Sequence, residues 1–389
     1  MNEPNPVITG IGAVSAAGLG ADALEQALLD AHPLFGDVRF FDPSPYPAKR
    51  AALCPPEIDR KTDARGRGWR FLLHASLEAL ASAGLARDRF HGPDTAVILG
   101  TTLGGMEILP ELIAQPGDPR AAFILPYHAA SDALGDLLSA SDASTISGAC
   151  ASSLMAVGEA AARIRAGACT RVLAGGFDAF CEFVHAGFCS LLALDPDTLR
   201  PFDVRRRGLL IGEGAGMVLV EDRERAEAEG RTALAGIAGY AAFSDANHIT
   251  GPHPDGDGLF RTLEAAWEET GLTKGAIDAV HAHGTGTIYN DRMEGIALER
   301  FLEGAEVPVT ASKGVIGHTL GAAGGLETVA CVQMLRDGFV PPAGGFEGPD
   351  PECRIRPVTG VRRGAVKVVV KSAAGFGGQN AALVLKRGF

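Results

Sequence analysis

The string Ile146-Ser-Gly-Ala-Cys150-Ala-Ser-Ser153 places a cysteine between a short apolar run and a stretch rich in Ala and other small residues. That stretch favours a helix beginning next to Cys150. A thiol at the start of a helix meets free backbone amides, which lower its pKa and favour the nucleophilic thiolate. For a cysteine taken alone, a buried and inert role is the commoner interpretation. That role fits four others, which lie among Ala, Phe or Val: Cys169, Cys181, Cys189 and Cys331.

Three further Gly-rich segments carry groups suited to catalysis. His283 lies in His-Ala-His-Gly-Thr-Gly-Thr, and Lys313 and His318 share Ser-Lys-Gly-Val-Ile-Gly-His. Phe376 stands between glycines, where its backbone amide can serve an oxyanion hole, although a β-bulge would need the same glycines. His281 and His283 form a pair that suits zinc, but no third ligand follows at a suitable spacing. The set predicts cysteine acyl transfer without a metal.

Strands alternate with helices along the chain, which indicates a layered α/β fold. Strands are predicted at 6–15, 94–100, 171–176 and 218–221, and helices at 21–31 and 70–83. The pattern Ile8-x-Gly10-x-x-Ala13-x-Ser15 recurs as Ile237-x-Gly239-x-x-Ala242-x-Ser244, and the Ala- and Gly-rich segments 148–165 and 317–335 form a second pair. These repeats predict two similar halves, 1–230 and 231–389, with the two Ala-rich helices buried in the middle.

Composition excludes several classes of protein. The formal net charge of −12 disfavours a nucleic-acid binder, which needs a basic surface. The seven cysteines contain no Cys-x-x-Cys pair, which favours reduced thiols in a cytoplasmic location. The first twenty residues lack the basic start of a signal peptide, and no apolar run is long enough to span a bilayer.

Four motifs in order resemble those of the β-ketoacyl-acyl carrier protein synthases. They are Gly-Ala-Cys-Ala-Ser-Ser, Ala-His-Gly-Thr-Gly-Thr, Ser-Lys-x-x-x-Gly-His-x-x-Gly-Ala-Ala-Gly and Gly-Phe-Gly-Gly-x-Asn. Val7-Ile-Thr-Gly-Ile-Gly, Arg200-Pro-Phe-Asp203 and Ser244-Asp-Ala-Asn-His248 agree, so the resemblance runs from residue 7 to about the C-terminus. It implies an α/β, thiolase-like duplicated fold of five layers (αβαβα). It also implies decarboxylative Claisen condensation with malonyl units, and a homodimer or a heterodimer with a ketosynthase-like subunit.

The resemblance implies a role for each matching position. Cys150 would take the acyl chain from an acyl carrier protein, with no cofactor beyond the carrier's phosphopantetheine. His283 and His318 would hold the malonyl thioester carbonyl, and Lys313 would orient them with Glu294 as its partner. The amides of Cys150 and Phe376 would form the oxyanion hole. Substrate binding is assigned to Thr285, Thr287, Ala374 and Asn380.

Three departures from the family pattern bear on the substrate. Ala374 stands where the family commonly has a Phe that controls access to the nucleophile. The segment between Gly105 and Cys150 is shorter than in the housekeeping enzymes, and Ile288-Tyr-Asn replaces a Pro-containing turn. The departures favour a ketosynthase of polyene or type II polyketide biosynthesis over one of fatty-acid housekeeping.

Two basic clusters are candidates for docking the acidic carrier protein, since complementary charge speeds association. A run of charge is more often just a solvated surface. The predicted docking residues are Arg60, Lys61, Arg65, Arg67, Arg70, Arg205, Arg206 and Arg207.

Three other functions are possible. A chain-length-factor-like partner subunit would lack the nucleophile, which is present here. Thiolase chemistry would need a second catalytic cysteine, and Cys353 lies outside the Gly-Phe-Gly-Gly turn. A non-condensing acyltransferase would use Cys150 without decarboxylation, and only an assay of malonyl decarboxylation separates it from a condensing enzyme.

Overall fold

The strands form where aliphatic and β-branched residues follow one another, because such side chains pack well on a pleated surface. A computed structural model describes residues 4–59 and 65–388. Its strands are β1 (Pro6–Ser15), β2 (Gly18–Leu19), β3 (Gly36–Asp37), β4 (Arg50–Ala51), β5 (Gly92–Gly100), β6 (Ala140–Ile146), β7 (Arg171–Asp178), β8 (Gly214–Asp222), β9 (Ala235–Ser244), β10 (Ala279–His281), β11 (Val309–Thr310), β12 (Phe339–Val340), β13 (Arg362–Arg363), β14 (Val368–Gly375) and β15 (Gln379–Lys386).

The helices lie between these strands and cover the faces of the sheet. They are α1 (Ala21–Asp30), α2 (Arg67–Ser82), α3 (Leu109–Ala114), α4 (Arg120–Ile124), α5 (Ala129–Leu138), α6 (Ser152–Arg165), α7 (Glu182–Ser190), α8 (Arg223–Ala228), α9 (Asp257–Glu268), α10 (Ile288–Leu302), α11 (Lys313–Ile316) and α12 (Ala323–Asp337).

One large sheet runs through the molecule in the order β11-β10-β14-β15-β9-β1-β8-β7-β5-β6. Its two ends repeat each other. The parallel sets β6-β5-β7 and β11-β10-β14 are each followed by two antiparallel strands, β8-β1 and β15-β9. The two halves join where β1 pairs with β9 at Val7↔Gly236 and Ile8↔Ala235. The recurring Ile-x-Gly pattern lies on these two strands, so the predicted duplication is confirmed. The exact boundary between residues 230 and 231 stays a prediction.

The elements form five layers, which pack around three apolar clusters: one in the middle and one on the outer face of each half-sheet. In the middle, α6 and α12 pack against the inner faces of both half-sheets through residues such as Leu154 and Leu326. Helices α2 and α5 cover the outer face of the first half around Phe71, and α9 and α10 cover that of the second around Leu263. The predicted αβαβα order is therefore confirmed.

Glycines set the distance between the two central helices. A Cβ atom on Gly324 of α12 would lie 2.4 Å from the backbone nitrogen of Leu154 on α6. A Cβ atom on Gly325 would lie 2.3 Å from the carbonyl oxygen of Gly216 on β8. Only residues without a Cβ permit such approaches. This close packing explains why both helices are rich in Ala and Gly.

The predicted elements differ from the observed ones mainly at their ends. The helix expected at 70–83 begins at Arg67, directly after Gly66 with φ of 95°, and ends at Ser82. The helix expected from residue 148 begins at Ser152, because residues 149–151 form a 3-10 turn. Across residues 4–59 and 65–388, the helices are too short or too polar to cross a membrane.

Candidate active site

A cavity of about 650 Å³ lies where segments from both halves of the chain meet. Cys150 follows the end of β6, and His283 follows the end of β10. His318 comes from the loop before α12. All three line the cavity. The structure thus brings together the thiol and both predicted histidines, although they are far apart in sequence.

A tight turn holds Cys150 at the start of α6. Ala149, directly before it, has φ of 49°, a left-handed conformation that is unfavourable for a residue with a Cβ atom. The Ala149 carbonyl accepts hydrogen bonds from Thr102 Oγ1 at 3.1 Å and from Ser152 Oγ at 2.5 Å. These contacts stabilise the turn that places Cys150 in the cavity.

The backbone amide of Phe376 lies close enough to the Cys150 thiol to act on its pKa. Gly375 permits this approach, since a Cβ atom there would lie 2.9 Å from the Gly148 oxygen and 3.1 Å from the Cys150 nitrogen. The following glycines form the turn between β14 and β15 rather than a bulge. The amides of residues 150 and 376 are therefore neighbours, as an oxyanion hole requires.

The resting form of Cys150 differs from the sequence-based expectation. Burial raises the pKa of this thiol to about 12, while Lys313 and the Phe376 amide act in the opposite direction. The prediction of a lowered pKa is wrong, because the burial of the thiol outweighs the favourable effects of Lys313 and the Phe376 amide. Cys150 therefore rests as a thiol.

His283 and His318 are both buried, and both are neutral. Their rings are nearly perpendicular, with centroids 5.4 Å apart. Burial, followed by the charge of Lys313, lowers the pKa of His318 to about 3 and that of His283 well below its usual value. The Leu320 amide donates to His318 Nδ1 at 3.3 Å, and the Lys313 ammonium lies 3.2 Å from His283 Nδ1. A backbone amide and an ammonium group can only donate. Each ring therefore accepts at Nδ1 and carries its proton at Nε2.

Lys313 is paired with Glu327 rather than with the predicted Glu294. Its Nζ atom lies 2.6 Å from Glu327 Oε1 and donates to the His283 carbonyl at 2.6 Å. Both side chains are almost completely buried, with 1% of Lys313 and 2% of Glu327 exposed. The assignment of Glu294 as the ion-pair partner is therefore wrong.

Glu294 has a different role in the same turn. Its carboxylate accepts hydrogen bonds from the backbone amides of His283 at 2.6 Å and Gly284 at 2.8 Å, and from Ser372 Oγ at 2.8 Å. It thus holds the main chain of the Gly-Thr-Gly-Thr turn from α10, while Glu327 acts from α12. Asp291, which the sequence analysis missed, accepts the amides of Thr285 and Gly286 at 3.0 and 3.1 Å.

A second buried lysine shares Glu327, and the sequence analysis missed both residues. Lys371 Nζ lies 2.8 Å from Glu327 Oε2, and the lysine side chain has no exposed surface. A signal was present for each. Glu327 is an isolated acid in the apolar segment 321–335, and Lys371 is an isolated cation after Val368-Val-Val370. Isolated charges of opposite sign in two buried segments are candidates for pairing.

Three of the predicted substrate-binding residues line the cavity: Thr285, Thr287 and Ala374. The two threonine hydroxyls lie 2.9 Å apart. Asn380 is placed differently, because its Nδ2 donates to Asp245 Oδ1 at 2.7 Å and it is not among the lining residues. Its expected contact with substrate is thus replaced by a structural one. Cys353 lies in the core beneath α10, outside the cavity lining.

Three of the predicted docking residues have structural roles. Arg67 donates to the Phe180 carbonyl at 2.6 Å and pairs with Glu213 at 2.9 Å. Arg70 is buried, and so is Arg206, which pairs with Asp350. This placement argues against a carrier-protein surface at Arg70 and Arg206, because a buried guanidinium group cannot meet another protein; Arg67, with 14% of its side chain exposed, is held by its partners. Arg60 and Lys61 lie outside the described residues.

Three predicted docking residues remain exposed: Arg65, Arg205 and Arg207. The Arg65 guanidinium lies 4.8 Å from the centre of the Trp69 ring. Arg205 pairs with Asp203 and Glu347, and Arg207 pairs with Asp195 at 3.1 Å. Of the three, Arg207 lines the cavity, and its side chain is 60% exposed. Exposed apolar residues lie beside it at the cavity entrance: Leu191, Leu192, Ile288 and Tyr289.

Known proteins are similar to this chain in sequence and in fold. Residues 5–226 match the family described as "Beta-ketoacyl synthase, N-terminal domain", and residues 234–347 match its C-terminal domain. The chain is 32% identical over 405 residues to a 3-oxoacyl-[acyl-carrier-protein] synthase 2 of Synechocystis sp., covering 98% of this chain and 97% of the relative. It is 34% identical over 409 residues to a putative polyketide β-ketoacyl synthase 1 of Streptomyces halstedii, covering 97% of each. A solved structure of the ishigamide ketosynthase/chain length factor matches all of both chains with a TM-score of 0.92 and 31% identity.

Proposed function

Since the chain belongs to the β-ketoacyl synthase family, we propose that Cys150, His283, His318 and Lys313 carry out its decarboxylative condensation. The enzyme is an acyltransferase that extends an acyl chain by reaction with a malonyl thioester. The observation that carries the residue assignment is the pair of neutral histidines, each protonated at Nε2, in the cavity that holds Cys150.

In the first half-reaction, the Cys150 sulfur attacks the carbonyl carbon of an acyl thioester. The carbonyl oxygen takes up negative charge and is stabilised by the amides of Cys150 and Phe376. The bond to the pantetheine sulfur then breaks, and the thiol proton of Cys150 passes to that sulfur. Because the thiol proton passes directly to the leaving sulfur, neither histidine is required as a base in this exchange, and both keep their proton at Nε2.

In the second half-reaction, the Nε2–H groups of His283 and His318 donate hydrogen bonds to the malonyl thioester oxygen. The bond between the α-carbon and the carboxylate breaks, carbon dioxide leaves, and the electron pair forms an enolate on that oxygen. Preorganised neutral donors stabilise this charge. The enolate carbon attacks the Cys150 thioester, and the cysteine sulfur leaves as a thiolate, which takes up one proton from solvent to return to the thiol.

We propose that both substrates arrive on the phosphopantetheine arm of an acyl carrier protein. The hydroxyls of Thr285 and Thr287 line the cavity and suit the amides of that arm. Arg207 at the entrance suits its phosphate, and the neighbouring Leu192 and Tyr289 offer apolar contact to the carrier. These residues replace the larger basic surface expected from the sequence.

The acyl chain and the partner subunit are finer proposals. Ala374 beside Cys150 leaves space for a rigid or unsaturated chain, which supports a polyene or type II polyketide substrate. Strand β6 lies at one edge of the sheet with half-exposed residues, which supports pairing with a second ketosynthase-like subunit, identical or not. A cytoplasmic location is supported by seven buried cysteines that are free thiols.

The test combines intact-protein mass spectrometry with a measurement of carbon dioxide. Incubation with an acyl carrier protein bearing an acyl group should add one acyl mass to the enzyme, and addition of malonyl carrier protein should release carbon dioxide and form a β-ketoacyl product. Cys150→Ala should remove the acyl adduct. Acylation of Cys150 without release of carbon dioxide would instead support a non-condensing acyltransferase, and an adduct that persists in Cys150→Ala would refute the nucleophile.

A further inference from the structure

Two buried lysines share one buried carboxylate behind the catalytic histidines. Lys313 reaches Glu327 Oε1 at 2.6 Å from α11, and Lys371 reaches Glu327 Oε2 at 2.8 Å from β14. At most 2% of any of these three side chains is exposed. Glu327 pairs with both cations, and the buried carboxylate of Glu294 also acts on the charge of Lys313. Burying a charged group is costly unless it is paired, so the stability of this cluster depends on these ion pairs.

The second lysine is not needed to satisfy the first. Lys313 already has Glu327, the His283 carbonyl and His283 Nδ1 as partners. Lys371 forms an ion pair with the other oxygen of Glu327 at 2.8 Å and donates its hydrogen bond to the Ser372 carbonyl. The attraction of a cation on each side holds the carboxylate between the two lysines.

Titratable groups from several elements face Lys371. Glu327 and Cys331 come from α12, and Lys313 comes from α11. His281 lies on the neighbouring strand β10, and His283 and His318 lie in the loops beyond. The charge of Lys371 lowers the pKa of each of these three histidines, after burial and in addition to Lys313.

Resting on the condensation proposed above, we infer that Lys371 is a positioning residue, which acts through Glu327 to hold Lys313 against His283. Lys371 does not line the cavity and does not touch the substrate. Its effect belongs to the decarboxylation step, since that step depends on His283 and His318 as hydrogen-bond donors. A protonated histidine could still donate, but it would lose its bond from Lys313, because two cations repel each other.

Lys371→Met tests the inference, because methionine keeps the length of the lysine stem without its charge. We expect the rate of malonyl decarboxylation at pH 7 to fall between about tenfold and about 100-fold, as for a small displacement of a catalytic group. We also expect the acid-side midpoint of the pH–rate profile to rise by about one pH unit, since a neighbouring cation has been removed. The profile is measured from pH 2.5 to pH 8, a range that contains the acid-side midpoint, by release of carbon dioxide from malonyl carrier protein.

A control and a double variant separate this role from a general loss of stability. Gln333→Met is a control on α12, the helix that also carries Glu327. It removes a buried side chain that donates to the Ala21 carbonyl at 2.7 Å and takes no part in the ion pairs of Lys371. It should lower the melting temperature without moving the pH profile. Glu327→Gln removes the carboxylate that both buried lysines contact. Adding Lys371→Met to this variant removes one of the two cations and should therefore raise the melting temperature. If Lys371 acted independently of Glu327, the addition would lower it.

The outcomes distinguish this inference from the proposed function. A wild-type enzyme that releases no carbon dioxide contradicts the condensation itself. A wild-type enzyme that condenses, with a Lys371→Met variant of unchanged pH profile and rate, refutes the role of Lys371 alone. A shifted midpoint in Lys371→Met but not in Gln333→Met, with the opposite change of melting temperature in the Glu327→Gln background, supports it.

Discussion

Replacing Gly324 with alanine tests whether the spacing of α6 and α12 controls condensation. The new Cβ atom would lie 2.4 Å from the Leu154 nitrogen and 2.6 Å from the Leu154 Cβ atom. Non-bonded carbon atoms are most stable at about 3.5 Å or more, so the two helices must separate by about 1 Å. Because α6 begins next to Cys150 and α12 follows His318, this separation moves the thiol away from a histidine donor.

We expect the condensation rate of Gly324→Ala to fall by about 100-fold, the usual effect of a misplacement of about 1 Å. The free energy of unfolding should fall by about 1–3 kcal/mol through overpacking. Acylation of Cys150 should fall much less, since it depends on the amides of residues 150 and 376 rather than on His318.

Stopped assays of each half-reaction, together with urea unfolding, separate these effects. Gly187→Ala is a matched control, because Gly187 is also helical and its Cβ atom would meet nothing within 4 Å. This control should gain about 0.5–1 kcal/mol of stability and leave both half-reactions unchanged. If Gly324→Ala kept the wild-type ratio of condensation to acylation, the helix spacing would not control the reaction.

Three further predictions follow from the cavity and its network. Ala374→Phe should slow transfer of long or unsaturated acyl chains far more than acetyl-sized ones, and equal effects across chain lengths would place control of access elsewhere. Arg207→Glu should raise KM for carrier-bound substrate and spare a small pantetheine thioester, whereas Arg206→Glu, at a buried position, should instead lower the melting temperature. The folded-state pKa of His318 is about 3, below the unfolded value of 6.5, so the unfolded chain binds its proton first and stability falls as pH drops below 6.5. Between pH 6.5 and pH 5, wild type should therefore lose about 2 kcal/mol more stability than His318→Gln in urea titrations, and equal losses would mean that His318 is not held neutral.

The parts of this enzyme predicted correctly from sequence are those that depend on local pattern. The strands and the duplication follow from apolar runs and from the repeated Ile-x-Gly motif. The presence of Cys150, His283 and His318 in one cavity follows from the ordered family motifs, in which Gly284 and Gly317 take positive φ angles that residues with a Cβ atom rarely adopt.

The parts that could not be predicted depend on which face of an element a side chain occupies. Glu294 and Glu327 are both acids on buried helices, and their distances from Lys313 in sequence do not tell which one it meets. The fold determines which of the two acids meets Lys313, because α10 and α12 approach the His283 turn from different sides. Likewise, Arg206 and Arg207 are adjacent in sequence, but one is buried against Asp350 and the other lies at the cavity entrance.

The shared cavity also fixes the order in which substrates react. Cys150 and both histidines line one space. Under the proposed condensation, the arm that delivers the acyl chain and the arm that delivers the malonyl unit both enter that space. The first carrier must therefore depart, leaving its acyl group on sulfur, before the second can enter. Such an exchange is a ping-pong mechanism, and double-reciprocal plots at several fixed concentrations of the second substrate form parallel lines. An excess of malonyl carrier will then compete with the acyl donor for the free enzyme, so the ratio of the two carriers in the cell sets how often a new chain begins.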